Sequence, residues 1–570
     1  MNSKQRLRAR IVLIALLLAA AGLGSSLYWT QVVKGSTYIA KADKQYDKPP
    51  VSLFDRGSIF FESKDGTRAA AATVSSGFLL HMNPKLLSDA PNAYEALSHY
   101  LTLDKEEFIR KAERTDDPYE EIVHHVDQKT ADSIKGLGIK GIQLSKESWR
   151  SYPANEVAAH VLGLTGQNSE SAIEGRYGLE RTYEDILVRT SRGSNASAFA
   201  ELFSGIRESV FGNTALEGSI VTTIEPTVEK YIEKTLQTTA DVLKPDEIGA
   251  IVIDPNTGEI VAMASLPTYD PNDVSKVKNP ALFSNPLVEH VYEMGSIIKP
   301  LTMAIGLDSG AITAKSTYDD TGTMTLNTKK ISNFDGQARG VINVQEVLSQ
   351  SLNVGAATIA LKVGKENFVK YMAGFGLSGK TGIDQPNEAS GLLRNLENGQ
   401  DIEVATAAYG QGIAISPISI TRSLSVLANG GMIIQPHLVK EIEYSDGTTK
   451  KTEVDNTTRI LRKETTDEVT RMLVNVVDTA LLKGEIKMER YSVAAKTGTA
   501  QIPDPGNKGY YTDRYLHSFF GYFPAYKPTF LVFIYQIHPK GAQYASETLT
   551  KPFSEISKFL IDYYSIPPDR

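Results

Sequence analysis

Cysteine is missing from this 570-residue chain, which excludes disulfide staples, thiolate nucleophiles and cysteine-ligated zinc. No internal repeat and no low-complexity tract interrupts it, so solenoids and disordered acidic tails are excluded too. A formal charge of -7 gives no general attraction to phosphates, and no nucleic acid partner is expected. None of the nine histidines stands in a His-Glu-x-x-His helix or beside a Gly-x-Ser-x-Gly elbow. The metalloprotease and Ser-His-Asp readings therefore fail, and neither metal nor cofactor is expected. What is present is a folding composition, 41% hydrophobic and 22% charged, on a chain too long for one core. Two soluble units follow as the expectation.

Lys4, Arg6, Arg8 and Arg10 precede an uncharged, largely apolar run from Ile11 to Trp29. At about 1.5 Å per residue such a run spans roughly 30 Å of hydrocarbon, and positive charge stays inside. The reading is a cytoplasmic tail over 1–10, a single transmembrane helix over 11–29, and all later residues outside the cytoplasmic membrane. A cleaved signal peptide ending near Ala19-Ala20-Ala21 is the competing reading. Its apolar core would be long, and no strongly polar stretch follows those alanines.

Residues 30–218 mix short helical patterns with turns and hold no cluster of chemical groups, which reads as an elongated mixed pedestal domain. Leu103–Arg114 carries charges at helical spacing, and Thr190–Ser197 is small and polar like a loop. From 219 onward a strand leads into a helix over Thr227–Leu243. A hairpin follows, Ile248–Asp254 and Glu259–Leu266 around Pro255-Asn256-Thr257-Gly258. Ser518–Tyr522 and Thr529–Ile537 make another strand pair, followed by a helix over Glu547–Tyr563. Strands at both ends of a mostly helical middle predict one antiparallel sheet flanked by helices, an α/β (α+β) domain over 219–570.

Three short elements carry chemistry in that domain. In Ser296-Ile297-Ile298-Lys299, a serine at the first turn of a helix has a lysine one turn along the same face. A desolvated lysine near another cation can lose its proton near neutral pH and accept the one from serine. Ser351-Leu352-Asn353 offers a hydroxyl to relay a proton and an amide to steady the lysine and hold a substrate carbonyl. Lys496-Thr497-Gly498-Thr499 follows the strand-like Tyr491–Ala495. On a sheet edge it would pair with an extended peptide, while Lys496, Thr497 and Thr499 receive a terminal carboxylate. The backbone N–H groups of Ser296 and Thr499 would form the oxyanion hole.

In this order the three elements resemble the signature of the penicillin-binding proteins and serine β-lactamases. Tyr292-Glu293-Met294-Gly295-Ser296, Ser351-Leu352-Asn353-Val354-Gly355, Tyr409-Gly410-Gln411-Gly412, Ala428-Asn429-Gly430-Gly431, Asp55-Arg56-Gly57-Ser58-Ile59 and Tyr177-Gly178-Leu179-Glu180 look like class B penicillin-binding proteins. Two departures stand out: Met294 where the family usually has proline, and no Asp-Arg-x-Gly within Phe60–Gly66. The resemblance implies a serine D,D-transpeptidase that cross-links peptidoglycan stem peptides ending in D-Ala-D-Ala and is acylated by β-lactams. It also implies a multi-span glycosyltransferase and divisome proteins as partners. Ser-Leu-Asn-Val-Gly-Ala and Lys-Thr-Gly-Thr-Ala-Gln look like the division (septal) type. A D,D-carboxypeptidase or β-lactamase is the rival enzyme, and a β-lactam sensor or silent divisome scaffold the rival of another class.

Gly374-Phe375-Gly376-Leu377-Ser378-Gly379-Lys380-Thr381 matches the phosphate-loop pattern letter for letter. A true phosphate loop follows a buried strand and opens a helix; Glu366–Met372 is helix-like, and Gly382–Pro386 is a poor helix start. Lys380-Thr381-Gly382 also repeats the third element, in a glycine-rich turn rather than a strand. Lys496 is preferred for that reason.

Overall fold

The computed structural model describes residues 55–167, 173–189, 217–453, 458–507 and 509–570. The tail over 1–10, the anchor over 11–29 and the loop Thr190–Ser197 lie outside them. Among the described residues, no helix is long and apolar enough to cross a membrane.

Contacts divide the chain into two units, Ser75–Trp149 in one, Asp55–Val74 with Arg150–Arg570 in the other. In the smaller, Glu120–Val126 pairs antiparallel with the second half of the strand Arg68–Met82. Three short helices, Ala90–Ser98, Lys105–Ala112 and Gln128–Gly136, each begin after an aspartate whose carboxylate accepts a first-turn N–H. Leu80, Met82, Leu97, Phe108 and Ile134 form its core.

The larger unit is built on a five-stranded antiparallel sheet. Its strands are β1 (Glu247–Ile253), β2 (Ile260–Leu266), β3 (Ala494–Pro503), β4 (Tyr510–Phe523) and β5 (Phe530–Ile537). The order is β3-β4-β5-β1-β2, so segments from both ends of the domain join side by side at β5 and β1, and β3 lies on an edge. Every residue of β5 from Phe530 to Gln536 is buried, which requires cover on both faces.

Helix α1 (Pro226–Leu243) begins where the Glu225 carboxylate accepts the Val228 N–H at 2.7 Å. Its buried Val228, Ile232 and Leu236 recur at helical spacing; each such side chain contributes about 2 kcal/mol of burial. Helices α2 (Lys299–Asp308) and α3 (Asn353–Val363) are apolar almost all round, and they and the serine-rich α4 (Pro417–Ala428) are deeply buried. The terminal helix read over Glu547–Tyr563 is two pieces, Ala545–Thr548 and α5 (Thr550–Tyr563), and α5 packs on α1.

Two features depart from the sequence reading. Strand β4 starts eight residues before Ser518, and its first half, Tyr510–Tyr515, is largely exposed. The middle also holds two small ribbons, Thr317–Asp320 with Gly340–Asn343 and Thr323–Leu326 with Lys329–Ser332. Four-residue polar strands leave no periodic signal long enough to read.

Candidate active site

Ser296 stands on a single 3-10 turn, Gly295–Ile298, that runs directly into α2. Backbone wedges this turn from both sides. Gly295 has φ +64°, and a Cβ there would lie 2.7 Å from the Thr499 carbonyl oxygen. A Cβ on Gly410 would lie 2.2 Å from the Gly295 oxygen, and the Gly295 N–H donates to Gly410 O at 3.2 Å. Only glycine permits both approaches. Met294, the departure from the family pattern, is buried, and its carbonyl accepts the Ser518 hydroxyl at 2.8 Å. The turn is thus held without a proline.

Behind the turn, Lys299 is 1% exposed. Its Nζ donates to the Ser351 carbonyl oxygen and to Asn353 Oδ1 at 2.8 Å, and lies 3.2 Å from Ser351 Oγ. Among the described residues Ser296 Oγ has no hydrogen-bond partner; the lysine is set by the second element rather than by the serine. Burial, and then the charge of Lys496, pushes the Lys299 amine well below its ordinary value. A neutral amine has two N–H bonds and one lone pair. The Ser351 carbonyl and Asn353 Oδ1 can take the two N–H bonds, leaving the lone pair for a hydroxyl proton.

Lys496, on β3, donates to the same Ser351 Oγ at 3.1 Å and to Thr497 O at 3.0 Å. Burial alone brings its pKa down to about 7. Ser351 itself sits at φ +56°, a left-handed conformation rare outside glycine and concentrated at functional sites.

A cleft of about 770 Å³ opens over these groups, lined by Ser296, Ser351, Asn353, Lys496, Thr497 and Thr499. Thr497, Thr499 and Gln501 alternate along β3 as half-buried residues. Gly498 is buried between them against Ser518 and the Met294 carbonyl. The Thr499 hydroxyl already accepts the Ala545 N–H at 3.1 Å, and its proton remains free to donate. One amide hydrogen of Asn353 is likewise committed, to Ser332 O at 2.9 Å.

Several supporting groups went unread in the sequence. Asn333, 3% exposed, accepts the Val354 N–H at 3.1 Å and so caps α3 from a distant segment. Its amide donates to both oxygens of Asp320 at 3.0 Å. The Tyr510 hydroxyl donates to both oxygens of Glu293 at 3.1 Å. Burial pushes the Glu293 carboxyl up to about 7. Phe334 and Tyr544, both lining the cleft, meet edge to face at 6.0 Å.

The rival motifs lie elsewhere. Residues 374–381 follow the helix Lys365–Gly374 and open no helix, and Lys380 is exposed. The turn after it is structural: Glu388 accepts the N–H groups of Thr381 and Gly382, while Asp384 accepts those of Leu438 and Val439. The Arg56 and Glu180 motifs meet in a buried ion-pair cluster. Glu180, 0% exposed, receives Arg56 Nε and Arg150 Nε at 2.6 Å each. Among the described residues, no group of three or more histidines and carboxylates could hold a metal.

Residues 248–558 match the penicillin binding protein transpeptidase domain, and 55–201 the penicillin-binding protein dimerisation domain. The chain is 26% identical over 569 residues to stage V sporulation protein D of Bacillus subtilis, covering 97% of this chain and 84% of that one. It is 26% identical over 570 residues to the peptidoglycan D,D-transpeptidase FtsI of Escherichia coli, covering 97% and 91%. Among solved structures, penicillin binding protein 2X of Streptococcus thermophilus shares the fold at a TM-score of 0.71 and 19% identity, covering 90% of this chain and 79% of that one.

Proposed function

This chain belongs to the penicillin-binding proteins and is a serine-type peptidoglycan D,D-transpeptidase, and from that premise we propose the following roles for its residues. Lys299, neutral in its buried site, takes the proton of Ser296 as the hydroxyl oxygen attacks the carbonyl of the penultimate D-alanine. The N–H groups of Ser296 and Thr499 receive the developing oxyanion, the contribution that is usually largest in acyl transfer. The C–N bond then breaks. The departing D-alanine amine takes up the proton that Lys299 accepted, passed through the Ser351 hydroxyl. Lys496 and the hydroxyls of Thr497 and Thr499 hold the terminal carboxylate, and the peptide backbone adds to the free edge of β3. An amine from a neighbouring stem peptide later attacks the Ser296 ester, restores the serine hydroxyl and leaves a cross-link.

The observation that carries this reading is the pair of buried lysines meeting at one hydroxyl. Ser351 Oγ lies 3.2 Å from the Lys299 amine and 3.1 Å from the Lys496 amine. A β-lactam presents a carboxylate and a strained amide to the same groups and acylates Ser296. The wild-type protein exposed to penicillin is expected to gain one drug mass on the peptide containing Ser296. Undiminished covalent labelling of Ser296→Ala would refute the assignment.

The setting is proposed as septal wall synthesis, a reading supported by the FtsI relative. Residues 1–10 are proposed as a cytoplasmic tail, 11–29 as the anchor, 30–218 as the pedestal and 219–570 as the transpeptidase domain facing outward. A multi-span glycosyltransferase and divisome proteins are the proposed partners. Co-purification of the full chain from membranes tests them.

A further inference from the structure

Glu293 is half-buried three residues before the nucleophile, and among the described residues no lysine or arginine pairs with it. A carboxylate in such a place is costly unless its hydrogen bonds do something. Its polar neighbours come from two other segments. The Tyr510 hydroxyl, at the start of β4, bridges both carboxylate oxygens at 3.1 Å. The Gly412 N–H, from the Tyr409–Gly412 loop, also favours its charged form.

These are the segments that surround the Ser296 turn. The loop abuts it through Gly410, and β3 abuts it through the Thr499 carbonyl. Tyr510 lies opposite Pro503 where β3 and β4 run on together as an exposed hairpin, four residues past Thr499. One carboxylate therefore ties the turn that carries the Ser296 N–H to the hairpin that carries the Thr499 N–H.

We infer that Glu293, held by Tyr510, is a positioning residue that fixes the spacing between the two halves of the oxyanion hole. The inference rests on the assignment of Ser296 and Thr499 N–H as that hole. A misplacement of about 1 Å is enough to cost on the order of 100-fold in rate. Substrate binding is spread over Lys496, Thr497, Thr499 and the length of the β3 edge, whereas the oxyanion hole depends on the spacing of two N–H groups, so the clasp acts chiefly on the chemical step.

The test is acylation of the full chain in detergent by a fluorescent penicillin, resolved into the dissociation constant of the initial complex and the first-order acylation constant. In Glu293→Ala the acylation constant falls about 10- to 100-fold, no more than the loss of one oxyanion donor would cost, while the dissociation constant changes less than about 3-fold. Tyr510→Phe removes one hydroxyl from a residue 38% exposed, so its fold is not at stake, and it lowers the same constant about 3- to 10-fold. Glu293→Gln, whose amide oxygen still accepts from Tyr510, recovers part of the loss. The double variant Glu293→Ala with Tyr510→Phe acylates no more slowly than Glu293→Ala, because the two act as one unit. Wild-type acylation in Tyr510→Phe, losses that multiply in the double variant, or a loss confined to the dissociation constant each overturn the inference. Persistent labelling of Ser296→Ala instead overturns the active-site assignment beneath it, so the two failures are told apart.

Discussion

The amines of Lys299 and Lys496 converge on one hydroxyl, that of Ser351, at 3.2 and 3.1 Å. Two ammonium ions cannot share so small a dry space at low cost, so one of the pair must give up its proton. Lys299 is lowered by burial and by the charge of Lys496, Lys496 by burial alone, so Lys299 is the one taken as neutral and Lys496 as the cation that meets a carboxylate.

That division sets a pH profile. Below its lowered pKa Lys299 is protonated and cannot accept a proton, so acylation rises as pH climbs through that value. Lys496 loses its charge above about 7, so capture of the carboxylate weakens as pH rises further. A bell-shaped dependence of acylation efficiency is expected, and Lys496→Arg should carry the falling limb out of range because guanidinium does not titrate there. Stopped-flow acylation across pH checks this; an unbroken rise to about pH 9 in the wild type counts against it.

The two Lys-Thr-Gly sequences should separate cleanly. Lys380→Ala alters an exposed turn and should change acylation less than about 2-fold, a surface effect. Lys496→Ala removes a buried cation from the cleft and should lower it at least about 100-fold. Side-by-side penicillin labelling reads both.

Thr497→Val should weaken recognition of the terminal carboxylate by about 10-fold, the value of one hydrogen bond to a charged group. Thr499→Val should in addition free the Ala545 N–H and disturb the segment that carries Tyr544. Hydrolysis of a D-Ala-D-Ala peptide, resolved into kcat and KM, distinguishes a pure binding loss in the first from a mixed loss in the second.

Away from the cleft, Glu180→Gln leaves Arg56 and Arg150 buried beside an uncharged amide. Breaking a buried ion pair from one side costs about 3–5 kcal/mol, so the thermal transition should move down markedly. Calorimetry of the protein decides it, and an unchanged midpoint would mean that the cluster adds nothing to stability.

The extent to which the sequence disclosed this site follows the range of the interactions. Ser296 and Lys299 were legible because their spacing is local, and Lys496 because its motif follows a strand-like run. Glu293 and Tyr510 stand 217 residues apart, and nothing local marks either as the other's partner. Asn333 escaped notice because it caps α3 from a ribbon whose four-residue strands carry no readable period. The Arg56 and Glu180 motifs were visible, but their reason, a contact across 124 residues, was not. Strand β4 extends beyond its sequence signal because its exposed first half lacks the alternation that burial of one face imprints.

The wedge of main chain around Gly295 bears on how drug resistance could arise. Where carbonyls and glycines press directly on the nucleophile's loop, mutation has no side chain to trim or enlarge. Adaptation that slows a drug while sparing the natural peptide must then work one layer out, on groups such as Ser518, Glu293 and Tyr510, whose atoms can be exchanged without rebuilding the backbone they brace.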